Sequence, residues 1–235
     1  METYGQTHAL EDVYDDIVVP ALTAAKRDRD QGTITPEDLH FVLQETRAII
    51  DGVELRQAQA STAATETPAP AGEEPIARAG PKMRIVGCPA RDEADALALV
   101  MFQDLLDPQR FALEIVSPEM LTAEVVTLVA RQDVDLICIA ALPPGTTTPT
   151  RYLCKRLRAR FPACKIIVGR WGWTGDRAAN QALLLAAGAD AVGTTLQESH
   201  NQVGQWSLLE SSPPLEPSPT EGLGPYIPEV SPARP

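Results

Sequence analysis

Histidine is scarce, with 3 in 235 residues, and aromatic side chains make up only 5%. His8, His40 and His200 lie outside the loops where a catalytic base would be sought. The four cysteines, Cys88, Cys138, Cys154 and Cys164, include no CxxC pair, and no histidine stands close enough in sequence to complete a zinc site. Cys138, inside the apolar run DLICIAAL, is expected to act as a small buried hydrophobe, and reduced thiols fit a cytosolic chain. No run approaches the roughly 18 apolar residues that cross a bilayer, and the N-terminus lacks the basic-then-apolar order of a signal peptide. Positive charge is in deficit: 20 Lys and Arg against 32 Asp and Glu leave a net charge of −12. General affinity for nucleic acid needs a basic face and is therefore excluded. These absences predict a soluble cytoplasmic protein with no membrane span and no nucleic-acid partner.

Several catalytic signatures are missing as well. GCPARD follows the first strand-like run where a dinucleotide site would need GxGxxG, and neither a Walker loop nor a Gly-x-Ser-x-Gly elbow exists. The third such run ends in AALPP, without the aspartate that a phosphate-accepting receiver domain requires. The expectation is a protein that is not an enzyme, with no metal site.

What is present is 44% hydrophobic residues, enough for a genuine core, and 21 prolines gathered mostly into two stretches. The organisation predicted is a disordered start at 1–8, a two-helix segment at 9–56, a flexible linker at 57–82, an α/β domain at 83–209 and a disordered proline-rich tail at 210–235. From Leu10 to Ala25 the apolar residues Leu10, Val13, Tyr14, Ile17, Val18, Ala21, Leu22 and Ala25 mark one helical stripe, with Pro20 expected to kink it and KRDRDQG to end it as a solvated run. Thr35-Pro36-Glu37-Asp38 is a helix start, with Thr35 as cap and Pro36 in the first turn, and the helix is predicted to run to about Leu55. Two helices bury little, so the pair must pack on the α/β domain, on a second copy or on another partner.

Beyond Pro81, short β-branched runs at 83–87, 111–117, 134–142, 165–169 and 190–195 alternate with helices starting near Asp92, Pro118, Thr148, Asp176 and Leu196. This predicts an α/β fold with a five-stranded parallel sheet covered on both faces, and a ligand crevice at the strands' C-terminal ends. Asp92, Glu93 and Asp95 read as first-turn acids complementing a helix dipole rather than as a cation site. Arg151, Lys155, Arg156, Arg158 and Arg160 read as a solvated basic face, with acidic partners from Glu119, Glu124 or another chain. Trp171 and Trp173, on a glycine-flanked loop, must pack under a neighbour, stack on a ligand or dock a partner.

DLICIAAL, VGRW and AAGADAVGTT together resemble the cobalamin-binding domain, a flavodoxin-like fold. IVVPALTAAKRDRDQGTITPEDLHF is similar to the second half of its helical cap, with Gly32 and His40 matching and Arg29 and Leu39 replacing a tryptophan and a glutamate. The family's D-x-H-x-x-G, whose histidine ligates cobalt, falls on DEADAL, so Ala94 takes the histidine position and Leu97 the glycine. Ala140 replaces the third-strand serine. The resemblance implies cofactor contacts at Cys88, Ala94, Ala140, Leu142, Gly169, Trp171, Gly172 and Thr194. It does not support cobalamin bound through a histidine, because alanine cannot coordinate a metal. A second resemblance is to the soluble C-terminal extension of bacterial permeases of the autoinducer-2 exporter type, carried by Tyr14-Asp15, Pro20 to Leu22, Pro89 to Asp95, Ala141 to Pro144, Arg151 to Pro162 and Val168 to Gly172. The expected function is a non-enzymatic ligand-binding or regulatory module of degenerate cobalamin-binding type acting on a membrane permease. Alternatives are a cobalamin sensor or carrier without the histidine, and an enzyme of unknown class. A permease, another protein or a second copy of the chain are the partners this reading admits.

Overall fold

The computed structural model describes residues 9–65 and 82–210. The start at 1–8, the linker residues 66–81 and the tail from 211 lie outside the described residues.

Helix α1 (Leu10–Val13) passes through a π-helical turn (Tyr14–Val18) into α2 (Val19–Asp30). Pro20 explains the wide turn. It has no N–H to offer the carbonyl of Asp16, and in the turn before it the N–H of Val19 reaches back to Tyr14. Gly32 turns the chain with φ of 73°. The next helix, α3 (Pro36–Thr65), begins with the capping expected of it: the amide of Asp38 donates to Thr35 Oγ1 at 3.1 Å, and the amide of Thr35 donates to Asp38 Oδ2 at 2.9 Å. It continues to Thr65, past Leu55, because no glycine or proline stands between Leu55 and Thr65 to stop it.

Five parallel strands follow: β1 (Met83–Pro89), β2 (Phe111–Ile115), β3 (Leu136–Ala140), β4 (Lys165–Gly169) and β5 (Ala191–Gly193). They alternate with α4 (Glu93–Leu105), α5 (Thr122–Arg131), α6 (Thr148–Arg160), α7 (Arg177–Leu185) and α8 (Leu196–Glu210). The sheet order is β2-β1-β3-β4-β5, which is flavodoxin-like. Strands β2, β3 and β5 end before the apolar runs that signalled them, where the chain leaves the ladder to build the loops of the C-terminal edge. Strands β3 and β5 also begin one or two residues late, and β1 runs past 87 to Pro89, pairing with Ala140. Helix α5 starts at Thr122 rather than near Pro118; Glu124 turns back to accept the amide of Leu121 at 2.8 Å and fixes that start.

Each face of the sheet carries its own core. One is filled by Val125 and Val129 of α5, Leu153, Cys154 and Leu157 of α6, and Leu184 of α7. The other joins Leu97, Leu99 and Phe102 of α4 and Val203 of α8 to Tyr14, Val18, Val19, Leu22, Leu43 and Ile50 of the N-terminal helices. Of the three ways to cover the two-helix segment, the structure takes the first: it packs on the α/β domain. Burying each of these large apolar side chains contributes about 1.5–3 kcal/mol.

Candidate functional site: a covered sheet edge

In open α/β sheets the ligand crevice lies where the strand order reverses, here between β1 and β3. Asp92 caps α4 there, accepting the amide of Asp95 at 3.2 Å. Asp95 itself is no solvated dipole acid: it is fully buried and accepts the amides of Leu142 at 2.9 Å and Arg91 at 3.1 Å. Its counter-charge comes from α2. The ammonium of Lys26 stands 2.9 Å from Asp95 Oδ1 and 2.9 Å from Asp92 Oδ1. Burial pushes the Asp95 carboxyl above its ordinary range, with Lys26 opposing and Asp92 adding to the rise. Lys26, assigned by its sequence to a solvated run, is 5% exposed. It follows Leu22 by four residues and so extends the buried stripe of Tyr14, Val18 and Leu22.

The loop after β4 turns inward. Gly169 leaves room for the indole of Trp171, since a Cβ there would sit 2.3 Å from Trp171 Cε2. Trp171 is fully buried, donates from Nε1 to Ser199 Oγ at 2.9 Å and stands 5.5 Å from Phe102 between ring centroids. Arg170 is 1% exposed; its Nη1 donates to the carbonyl of Ala141 at 2.9 Å and its guanidinium stacks 4.6 Å from the Trp173 ring centroid. Its Nε and Nη2 have no hydrogen-bond partner among the described residues. Burial lowers its pKa, with Asp95 working the other way.

The N-terminus of α8 is also filled from within the chain. Asp15, 181 residues away, accepts the amide of Leu196 at 2.7 Å, and its second oxygen accepts that of Gln197 at 3.0 Å. Burial nevertheless raises the Asp15 pKa against those two bonds. Gly172, at φ of 77°, lets α2 approach: a Cβ there would lie 3.0 Å from methyls of Val19 and Thr23. Among the described residues a groove of about 380 Å³ remains open between α2 and the loops after β4 and β5, bordered by Arg27, Gly172, Trp173, Thr174, Thr194 and Thr195 among others.

The residues marked by the cobalamin resemblance therefore divide. Cys88, Ala94, Ala140, Leu142 and Trp171 are 0–2% exposed, and Gly169 is buried beneath Trp171. Only Gly172 and Thr194 border the groove. The residues present do not fit a corrin. Ala94 has no lone pair and is packed in the core, the space over Gly169 is filled by indole, and 380 Å³ suits a ligand at the small end of the usual 300–1,000 Å³ range. Among the described residues no group of three His, Cys, Asp or Glu side chains is placed to hold a metal. Burial also pushes the Cys88 and Cys154 thiols up to about 12 and raises Cys138, which keeps them protonated and unreactive.

No family model matches the chain, and no curated protein does either. Solved structures with a similar fold include a CheY-like receiver domain from Methanospirillum hungatei JF-1, at 16% identity over 55% of this chain and 97% of that one, with a TM-score of 0.42. A cobalamin-binding protein from Desulfitobacterium hafniense DCB-2 is 15% identical over 79% of this chain and 77% of that one, with a TM-score of 0.41. A signal receiver domain from Pseudomonas fluorescens Pf-5 is 19% identical over 58% of this chain and 94% of that one, also at 0.41. The fold class rests on the strand order, not on these likenesses. No helix among the described residues is long and apolar enough to cross a membrane.

Proposed function

We propose that the chain is a non-enzymatic regulatory or ligand-binding module in which the N-terminal helices, in place of a corrin, occupy the ligand edge. The observation that carries this reading is the docking of Lys26 onto Asp92 and Asp95. Together with Asp15 at the start of α8, it fills the polar features that a ligand would use. Regulation then consists of uncovering the edge. The regulated partner is a membrane permease, a step supported only by the sequence likeness to permease extensions.

Hydrogen exchange tests the reading. Amides of α2 should open at a lower free energy than those of β1 and β3, because a displaceable element must open below the global limit. Exchange of α2 only through global unfolding would sink it. Protein mixed with hydroxocobalamin and desalted should be colourless, and a retained visible band would instead favour a corrinoid carrier.

A further inference from the structure

The outer face of the α6–α7 pair is unlike the rest of this acidic chain. Every charged residue of α6 is a cation: Arg151, Lys155, Arg156, Arg158 and Arg160. Arg158 is consumed internally, donating to the carbonyls of Gly188, Pro162 and Cys164 and pairing with Asp190 rather than with Glu119 or Glu124. Arg151, Lys155, Arg156 and Arg160 form no ion pair among the described residues. Between them Tyr152 stands 55% exposed.

Helix α7 supplies an apolar neighbour. Asn180 and Leu184 define its inner side, while Gln181 and Leu185 border a groove beside β5. Helical spacing therefore turns Ala179, Ala182, Leu183 and Ala186 to the opposite flank, toward α6. All of these are exposed, Leu183 by 45%. A leucine and a row of exposed alanines thus lie beside a basic helix that itself carries Tyr152 and four cations without an ion pair among the described residues.

We propose that this face docks an acidic amphipathic helix of another protein. Two copies of the chain meeting here symmetrically would set their cations against each other, which disfavours self-association. A bilayer surface is held by bulky Trp, Phe and Leu side chains sinking below the headgroups, whereas this row is mostly alanine. Alanines let a partner helix pack close, and its Glu and Asp residues would answer the cations flanking the row. The surface lies away from the covered edge, so it stands or falls separately from the function proposed above.

The test uses the full chain and a labelled helical peptide of about 20 residues, long enough to hold a helix, with Leu and Ala along one face and Glu along the flanks of that face. Fluorescence anisotropy should show binding that weakens at least tenfold when salt rises from about 0.05 to 0.5 M. It should also weaken at least tenfold in the Lys155→Glu/Arg156→Glu variant and in Leu183→Asp, with circular dichroism unchanged. Arg47→Glu, an exposed change on α3, should leave binding as in wild type, and the same peptide with Lys for Glu should not bind. Failure of the Glu peptide to bind at about 1 mM, an affinity of only about 4 kcal/mol, would overturn the proposal. So would binding indifferent to the α6 and α7 changes, or binding to phosphatidylserine vesicles instead of the peptide.

Discussion

Asp95 shows how much a single residue can hide. Its position three residues after Asp92 fits a helix start, and that part was legible: Asp92 does cap α4. That Asp95 points inward and meets an ammonium from a helix 69 residues earlier was not, because a long-range ion pair leaves no local periodicity. The stripe through Tyr14, Val18 and Leu22 was the available signal, with Lys26 one turn further along it. The pair makes a sharp prediction. Lys26→Met leaves the buried carboxylate with only backbone donors and should cost about 3 kcal/mol. Asp95→Asn leaves the ammonium with half-exposed Asp92 and should cost about 2 kcal/mol. The double variant Lys26→Met/Asp95→Asn should cost less than the sum by about 1–3 kcal/mol, as urea unfolding would read it. Additive losses would mean that the two groups do not interact across the α2–α4 contact.

At the scale of elements, strand and helix order followed from alternating apolar runs, and the Thr35 start of α3 from its capping chemistry. The extent of α3 did not follow, since its apolar stripe fades well before the helix ends at Thr65. Glycines were legible as loop markers, but what they admit was not: Gly169 and Gly193 make room for Trp171 and Ser199, which lie elsewhere in the chain or across a turn. Helix α8 illustrates an element held by charge. Burial works to raise the pKa of Glu198, yet the amide and hydroxyl of Thr194, at 2.8 and 3.0 Å, and Arg177, at 2.8 Å, outweigh it and hold the carboxyl below its ordinary value. A lowered folded pKa gives stability that is complete above the unfolded value, about 4.3, and is lost as pH falls through the folded value. The Glu198 side chain is 36% exposed and that of Arg177 58%, so solvent screens the pair. Glu198→Gln should therefore cost only about 0.5 kcal/mol at neutral pH, and the gap to wild type should close as pH falls below about 4. Paired unfolding curves across that range would show it; a gap that widens in acid would reverse the assignment.

For the whole molecule, the question is whether the N-terminal helices are an appendage or part of the fold. Composition suggested a small segment on a long tether, free to find the α/β domain. The packing argues for a stronger tie. Tyr14, Val18, Val19, Leu22, Leu43 and Ile50 share one core with Leu97, Phe102 and Trp171, and Tyr14 also donates to Asp104 at 2.6 Å. Burial of that many large side chains outweighs the polar contacts, so the apolar seam sets affinity while Asp15 and Lys26 set register. Cutting the connection between Thr65 and Lys82 at an inserted protease site should therefore leave the two pieces associated at micromolar concentration, co-eluting on size exclusion. The same cut in a Lys26→Glu/Asp15→Lys variant should release them, since like charges would then face Asp92, Asp95 and the α8 amides across a buried contact. If the wild-type pieces separate, the helices are held only by the tether, and the covered edge loses its status as a built-in state of the protein.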